Sequence, residues 1–303
     1  MQTTNRLLMV RPVRFAFNEE TATNNAFQHK SESVQAALKT QQEAVVEFDA
    51  YVELLRKNGV SVVVLQDVEE PFTPDSIFPN NCFSTHNDKE HILVLYPMYA
   101  CNRRLERTKL LTAVKKESYD RVIDLTPWED KNCFLEGTGS MVLDREHRIA
   151  YACASPRTNE KVLKEWAEQL NYRYLLFDSE DENGTPVYHT NVIMHVGTDV
   201  AVVCLESIRN FQQRERLVRS LTENGKEIVD ITLEQVRQFA GNMLEVRNEK
   251  GEKLLVMSAT ARNSLTNEQI VQLQKYVRII SPDIHVIEVA GGGSARCMMA
   301  ELY

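Results

Sequence analysis

The feature that most constrains this chain is a unit that recurs five times. Each unit opens with a small or amide-rich turn. Two strand-sized apolar runs follow, then a helix, then one short apolar run. The openings are Asn80-Asn81-Cys82-Phe83, Gly137-Thr138-Gly139-Ser140-Met141, His189-Thr190-Asn191-Val192-Ile193, Gly241-Asn242-Met243-Leu244 and Arg296-Cys297-Met298-Met299. They return roughly every 50 to 60 residues, a period typical of repeat architectures, in which modules bury their apolar faces against one another. Although 303 residues could form two domains, the repeat favours a single domain over residues 1–303. It predicts an α/β fold of five ββαβ-like modules.

Helical periodicity predicts helices over 41–57, 103–116, 159–170, 210–223 and 266–278. The first places Val45, Phe48, Val52 and Leu55 on one face and stops at Asn58-Gly59. Several begin at Asn or Thr, residues that cap helix N-termini. Short apolar runs at 60–65, 122–125, 174–177, 228–231 and 284–289 read as buried strands. Polar turns between paired apolar runs predict hairpins, 140–143 with 149–153, 192–196 with 200–205, and 243–246 with 254–257. The fifth unit is truncated, because Cys297-Met298-Met299-Ala300 runs to the C-terminus at Tyr303. Residues 6–11 are the expected partner strand, which would close a ring. The least regular stretch, 12–33, is long for a structureless loop and is expected to serve the site.

The formal charge of −8 disfavours nucleic acid, whose binding relies on Lys and Arg against phosphate. No segment is long enough to span a bilayer. The six cysteines form no C-x-x-C pair and have no zinc-like spacing. These features suggest a cytoplasmic protein with reduced thiols, and covalent chemistry at a cysteine would need no metal or organic cofactor. Homo-oligomerisation is left open.

If the modules are equivalent in space, their openings converge on one polar site of the kind ligands favour. Asp75, Glu136, His189 and Cys297 would then meet there. Two carboxylates, an imidazole and a thiol suit nucleophilic catalysis on an electrophilic carbon. Cys297 follows Gly291-Gly292-Gly293-Ser294-Ala295, a backbone able to approach closely and to stabilise an anion through its N–H groups. His189 has the side-chain chemistry for proton transfer near neutrality. Glu136 and Asp75 are suited to holding His189 or substrate N–H groups. Arg14, Arg296 and Asn18 are candidates for the α-carboxylate and α-amine of an amino-acid substrate, arginine being suited to bidentate carboxylate binding.

In this order the residues resemble the pentein superfamily: arginine and agmatine deiminases, dimethylarginine dimethylaminohydrolases and amidinotransferases. The resemblance runs over almost the whole chain. The segments PDSIFPNNCFSTH, LEGTGSMV, YHTN and GGGSARCM look most like a bacterial branch that includes citrulline-utilisation hydrolases. It implies a fivefold pseudo-symmetric α/β propeller around a polar channel. It also implies an acid at Asp75, Glu136 before glycines, a general acid/base at His189 and a nucleophile at Cys297.

One departure is informative. Guanidino-modifying members commonly carry Asp two residues after the histidine, where this chain has Asn191. Loss of a carboxylate weakens the case for a cation, and an amide can donate to a ureido oxygen. The sequence therefore favours hydrolysis of citrulline to ornithine through a thio-intermediate. A guanidino hydrolase of the arginine deiminase type or an amidinotransferase is the alternative. A pentein that only binds its ligand is the lesser one.

Overall fold

The structure is a computed structural model that describes residues 1–303 apart from Asn24, Ala26, His29, Ser31, Glu32, Lys115 and Lys116. Its strands form five three-stranded sheets of one topology. In each, the central strand pairs antiparallel with one neighbour and parallel with the other. Met141–Asp144, Ile149–Cys153 and Arg173–Phe177 show the pattern, with Tyr151 facing Val142 on one side and Leu175 on the other. A helix connects each parallel pair, as a parallel crossover requires. Between Ile149–Cys153 and Arg173–Phe177 it is Glu160–Leu170, capped by Asn159 and burying Val162, Leu163, Trp166 and Leu170.

The truncated fifth unit is completed as expected. Ala300–Glu301 pairs antiparallel with Arg6–Arg11, which runs parallel to Ser61–Gln66. The two chain ends therefore share one sheet. The helix of that module, Val34–Lys57, starts earlier than predicted because Ser33 caps it. Its buried Tyr51 donates to the Ala295 carbonyl at 3.3 Å, tying the helix to the loop before Cys297.

Three local expectations fail. Residues 284–289 are not a strand but begin the helix His285–Gly291, and the sheet of the fourth unit instead takes Arg278–Ile280 as its third strand. Ile284, Ile287 and Ala290 are buried at helical spacing, and a short apolar run alone cannot separate the two states. The helix expected over 266–278 correspondingly ends at Gln274. The helix expected over 103–116 is divided into Cys101–Arg104 and Glu106–Val114, and its last two predicted residues, Lys115 and Lys116, lie outside the described residues.

Four module openings are short helical turns: Pro79–Asn81, Gly137–Ser140, Thr190–Val192 and Ala295–Met298. Four of the five junctions between successive openings are hydrogen-bonded. Asn80 Nδ2 reaches Thr138 Oγ1 at 3.3 Å. Thr190 Oγ1 donates to the Ser140 carbonyl at 2.6 Å. Asn242 Nδ2 donates to the Asn191 carbonyl at 3.1 Å, and the Arg296 amide donates to Asn242 Oδ1 at 3.0 Å. The turn of Ala295–Met298 packs back on Pro79–Asn81. This proximity explains Gly241, where a Cβ would sit 2.2 Å from the Val192 carbonyl oxygen. Among the described residues no helix is long and apolar enough to cross a membrane.

Candidate active site

Cys297 lies in the turn that follows Gly291-Gly292-Gly293 and is 6% exposed. Asn242 Nδ2 points at its Sγ from 3.2 Å and Asn191 Nδ2 from 3.6 Å, both within reach of a sulfur acceptor. Asn191 belongs to the turn that begins beside His189. The His189 ring is buried and bonds Glu136 Oε2 through Nε2 at 2.7 Å. Glu136 Oε1 accepts the Tyr99 amide at 2.9 Å, and Arg157 lies 3.5 Å from Oε2.

The electrostatics follow from burial and partners. Burial raises the Glu136 pKa, but Arg157 and the His189 bond outweigh it and hold the carboxyl well below its usual range. Glu136 is therefore an acceptor, so His189 Nε2 carries the proton and Nδ1 keeps a lone pair. Burial lowers the His189 pKa to about 4, against the opposing pull of Glu136. The ring is neutral at pH 7 and able to accept a proton.

Asp75 forms a second centre. Its Oδ2 accepts Asn18 Nδ2 at 2.7 Å and Thr21 Oγ1 at 3.1 Å, and it lies 3.9 Å from Arg103. Oδ1 is buried without a hydrogen-bond partner among the described residues. Burial raises the Asp75 pKa, with Arg103 and Asn18 opposing it. Arg103 is held by Glu106 at 2.9 Å, Asn81 Oδ1 at 2.8 Å and the Phe78 carbonyl at 3.0 Å. The two centres meet at Arg157, which reaches Glu136 and donates to the Thr21 carbonyl at 3.1 Å. Three buried carboxylates, Asp75, Glu106 and Glu136, thus stand against two guanidiniums, Arg103 and Arg157.

The segment 12–33 covers this cluster, as far as it is described. Besides Asn18 and Thr21 on Asp75, Gln28 Nε2 donates to the Gly291 carbonyl at 2.8 Å and Asn25 Nδ2 to the Gly292 carbonyl at 3.4 Å. Tyr188 OH donates to the same Gly292 carbonyl at 3.0 Å. These bonds close the glycine loop from two sides.

Of the residues chosen from sequence, Cys297 and Asn191 are in contact, His189 is bonded to Glu136, and Asn18 is bonded to Asp75. Two are placed elsewhere. The Arg14 side chain is 46% exposed, pairs with Glu70 at 2.8 Å and lies over the Phe72 ring. The Arg296 guanidinium turns away from the sulfur to Glu301 and the Met299 carbonyl, both at 2.8 Å. Each guanidinium is engaged by acceptors away from Cys297, so this structure does not bring either of them to the sulfur. Sequence reasoning missed Arg103, Arg157, Tyr188, Thr21 and Glu106 as parts of the cluster. Asn242 was visible as a module opening but not as a neighbour of the sulfur.

A family model described as eukaryotic N,N dimethylarginine dimethylhydrolase matches residues 11–303. No curated protein matches by sequence. Among solved structures, the substrate-bound N-terminal domain of ArgZ, an arginine dihydrolase from the ornithine-ammonia cycle in cyanobacteria, superposes with a TM-score of 0.74. The identity is 17%, over 98% of this chain and 97% of that one. That domain covalently bound to a reaction intermediate gives 0.72 at 18% identity, with the same coverage. A dimethylarginine dimethylaminohydrolase adduct with 4-chloro-2-hydroxymethylpyridine gives 0.68 at 16% identity over the whole of both chains. This chain spans 39% of an ArgZ chain solved as the apo structure. At these identities the likeness establishes the α/β fold.

Proposed function

We propose a function from one premise: the chain belongs to the family of eukaryotic N,N-dimethylarginine dimethylhydrolases. On our reading it is a cysteine-dependent hydrolase of a guanidino C–N bond in arginine or an N-methylated arginine. The guanidino alternative thereby takes precedence over the citrulline reading that Asn191 suggested. The observation that carries it is Asp75, a buried carboxylate with one oxygen unpartnered among the described residues, in a cluster with an excess of carboxylates. Such an oxygen suits a cationic N–H donor, since charge-assisted hydrogen bonds are the strong ones. The names of the solved relatives, an arginine dihydrolase with a covalent intermediate and a dimethylarginine dimethylaminohydrolase, support it. We also infer that the five modules close into a propeller, a reading supported by the bonds across four junctions between openings and by the packing of Ala295–Met298 on Pro79–Asn81.

In the first step Cys297 Sγ adds to the guanidino carbon, and the C–N bond to the departing ammonia or methylated amine breaks. His189 Nδ1 takes the proton of the Cys297 thiol and passes it to the departing nitrogen. The Asn191 and Asn242 amides donate to the sulfur. Asp75 bonds substrate N–H groups, and Glu136 keeps the His189 tautomer fixed. Water then adds to the carbon, His189 takes its proton, and the C–S bond breaks to return the thiol group.

The test is amino-acid and amine analysis after incubation with arginine, with N,N-dimethylarginine and with citrulline in separate reactions, using Cys297→Ala as the blank. Citrulline or ornithine formed from a guanidino substrate, absent in the blank, is expected. Turnover of citrulline alone would overturn the reading.

A further inference from the structure

Asn191, whose amide reaches Cys297 Sγ, also borders a polar cavity of about 30 Å³, lined by no residue of the segment 12–33, which we take as the rear of the site. Its lining includes Asn191, His195, Arg145, Glu245, Arg296 and Glu301. The volume has room for about one or two water molecules. Three of its side chains carry a buried polar atom with no hydrogen-bond partner among the described residues: Asn191 Oδ1, His195 Nε2 and Arg145 Nη2. Orphaned buried polar atoms of this kind are commonly satisfied by ordered water. A water bonded to Asn191 Oδ1 would be one amide away from Cys297, because Asn191 Nδ2 lies 3.6 Å from the sulfur.

Arg145 lines this cavity and also an open hollow of about 650 Å³ at the rear surface, bordered by His86, Arg148, Tyr172 and Tyr303. Its guanidinium lies over the Tyr303 ring, 3.5 Å from Glu301, and donates to the Thr85 carbonyl at 3.3 Å. It therefore stands between bulk solvent and the small cavity. On the front, the bonds from Asn18, Thr21, Asn25 and Gln28 close the site.

We infer that the rear cavity holds the water that hydrolyses the thio-intermediate, and that it refills from the hollow past Arg145. The inference rests on the cysteine-hydrolase reading. While the intermediate carries the substrate's tail, the front remains filled, and a supply from behind leaves the tail in place. The water oxygen bonds the guanidino carbon, its proton passes to His189, and as the C–S bond breaks His189 hands that proton to Sγ. His195 and Arg145 are positioning residues: they hold the supply and touch no reacting atom.

The test separates the two half-reactions by single-turnover kinetics with mass analysis of the Cys297 adduct. His195→Phe fills the cavity with an apolar ring, and His195→Gln keeps a polar acceptor. The expected result for His195→Phe is adduct formation within about threefold of the parent and hydrolysis slowed at least about tenfold, so that the adduct accumulates. His195→Gln is expected to hydrolyse it near the parent rate. Unchanged hydrolysis in His195→Phe would overturn the inference. Absence of any adduct in the parent protein would instead sink the cysteine-hydrolase reading. If His195→Phe does not fold, nucleophile size decides in the parent protein. Hydroxylamine is expected to shorten the adduct's lifetime and butylamine to leave it unchanged; equal interception by both would overturn the rear supply.

Discussion

Replacing Asp75 with Asn tests the charge logic of the site most directly. The change removes one negative charge and preserves the shape of the side chain. Asp75 Oδ2 already accepts Asn18 and Thr21 at 2.7 and 3.1 Å, so Oδ1 is the oxygen left for a ligand. A guanidinium bonded there brings opposite charges to about 4 Å, an attraction of about 4 kcal/mol at an effective dielectric near 20. Desolvation offsets part of this, and a hydrogen bond to a charged group contributes about 2 kcal/mol net. At about 1.4 kcal/mol per decade, kcat/KM for a guanidino substrate is expected to fall roughly 30-fold. A neutral ureido substrate loses little of that attraction and is expected to change less than about threefold. Steady-state kinetics of parent and variant with arginine, N,N-dimethylarginine and citrulline make the comparison, with thermal unfolding as the control for folding. An equal fall for citrulline, or none for the guanidino substrates, would refute the assignment of Asp75 to a cation.

Two further predictions concern His189 and its surroundings. Glu136→Gln removes the obligate acceptor at Nε2, so the ring no longer has a fixed tautomer; kcat is expected to fall roughly 10²- to 10⁴-fold with KM changed by less than about threefold. A kcat near the parent value would show that the 2.7 Å bond is only structural. The second is acid stability. Burial lowers the pKa of His189 to about 4 and of His195 to about 3, and holds His86 well below its ordinary value. Below about pH 6.5 the unfolded chain takes up protons that the folded histidines refuse. Their contribution is present above that pH and is lost as pH falls toward 4, with a slope of up to about 1.4 kcal/mol per pH unit for each. Thermal midpoints are expected to fall steadily from pH 7 to pH 5; a flat profile would contradict burial in the neutral form.

The repeat was legible because its signals are local. Polar turns before paired apolar runs, helix caps at Asn159 and Asn210, and the unmatched strand before Tyr303 can each be read within about a dozen residues. Even the closure of Ala300–Glu301 on Arg6–Arg11 follows from counting strands. Where the pattern was short, it misled. Ile284-His285-Val286-Ile287 is apolar enough for a strand, but only packing reveals that Ile284 and Ile287 share one buried helix face.

Site residues divided along the same line. Asp75, Glu136, His189 and Cys297 could be named because each has a recurring place beside a module opening. Arg103 and Arg157 have none: one lies in a short helix, the other in a turn, and their charges acquire meaning only when folding sets them against Asp75, Glu106 and Glu136. That also explains the substrate preference read from sequence. Asn191 was weighed as a missing carboxylate, whereas in the structure its amide points at sulfur and its other end at the rear cavity. The charge available to a ligand is a sum over side chains from distant modules. In that sum Asp75, left with a bare oxygen, has more to say about a cation than the residue at position 191.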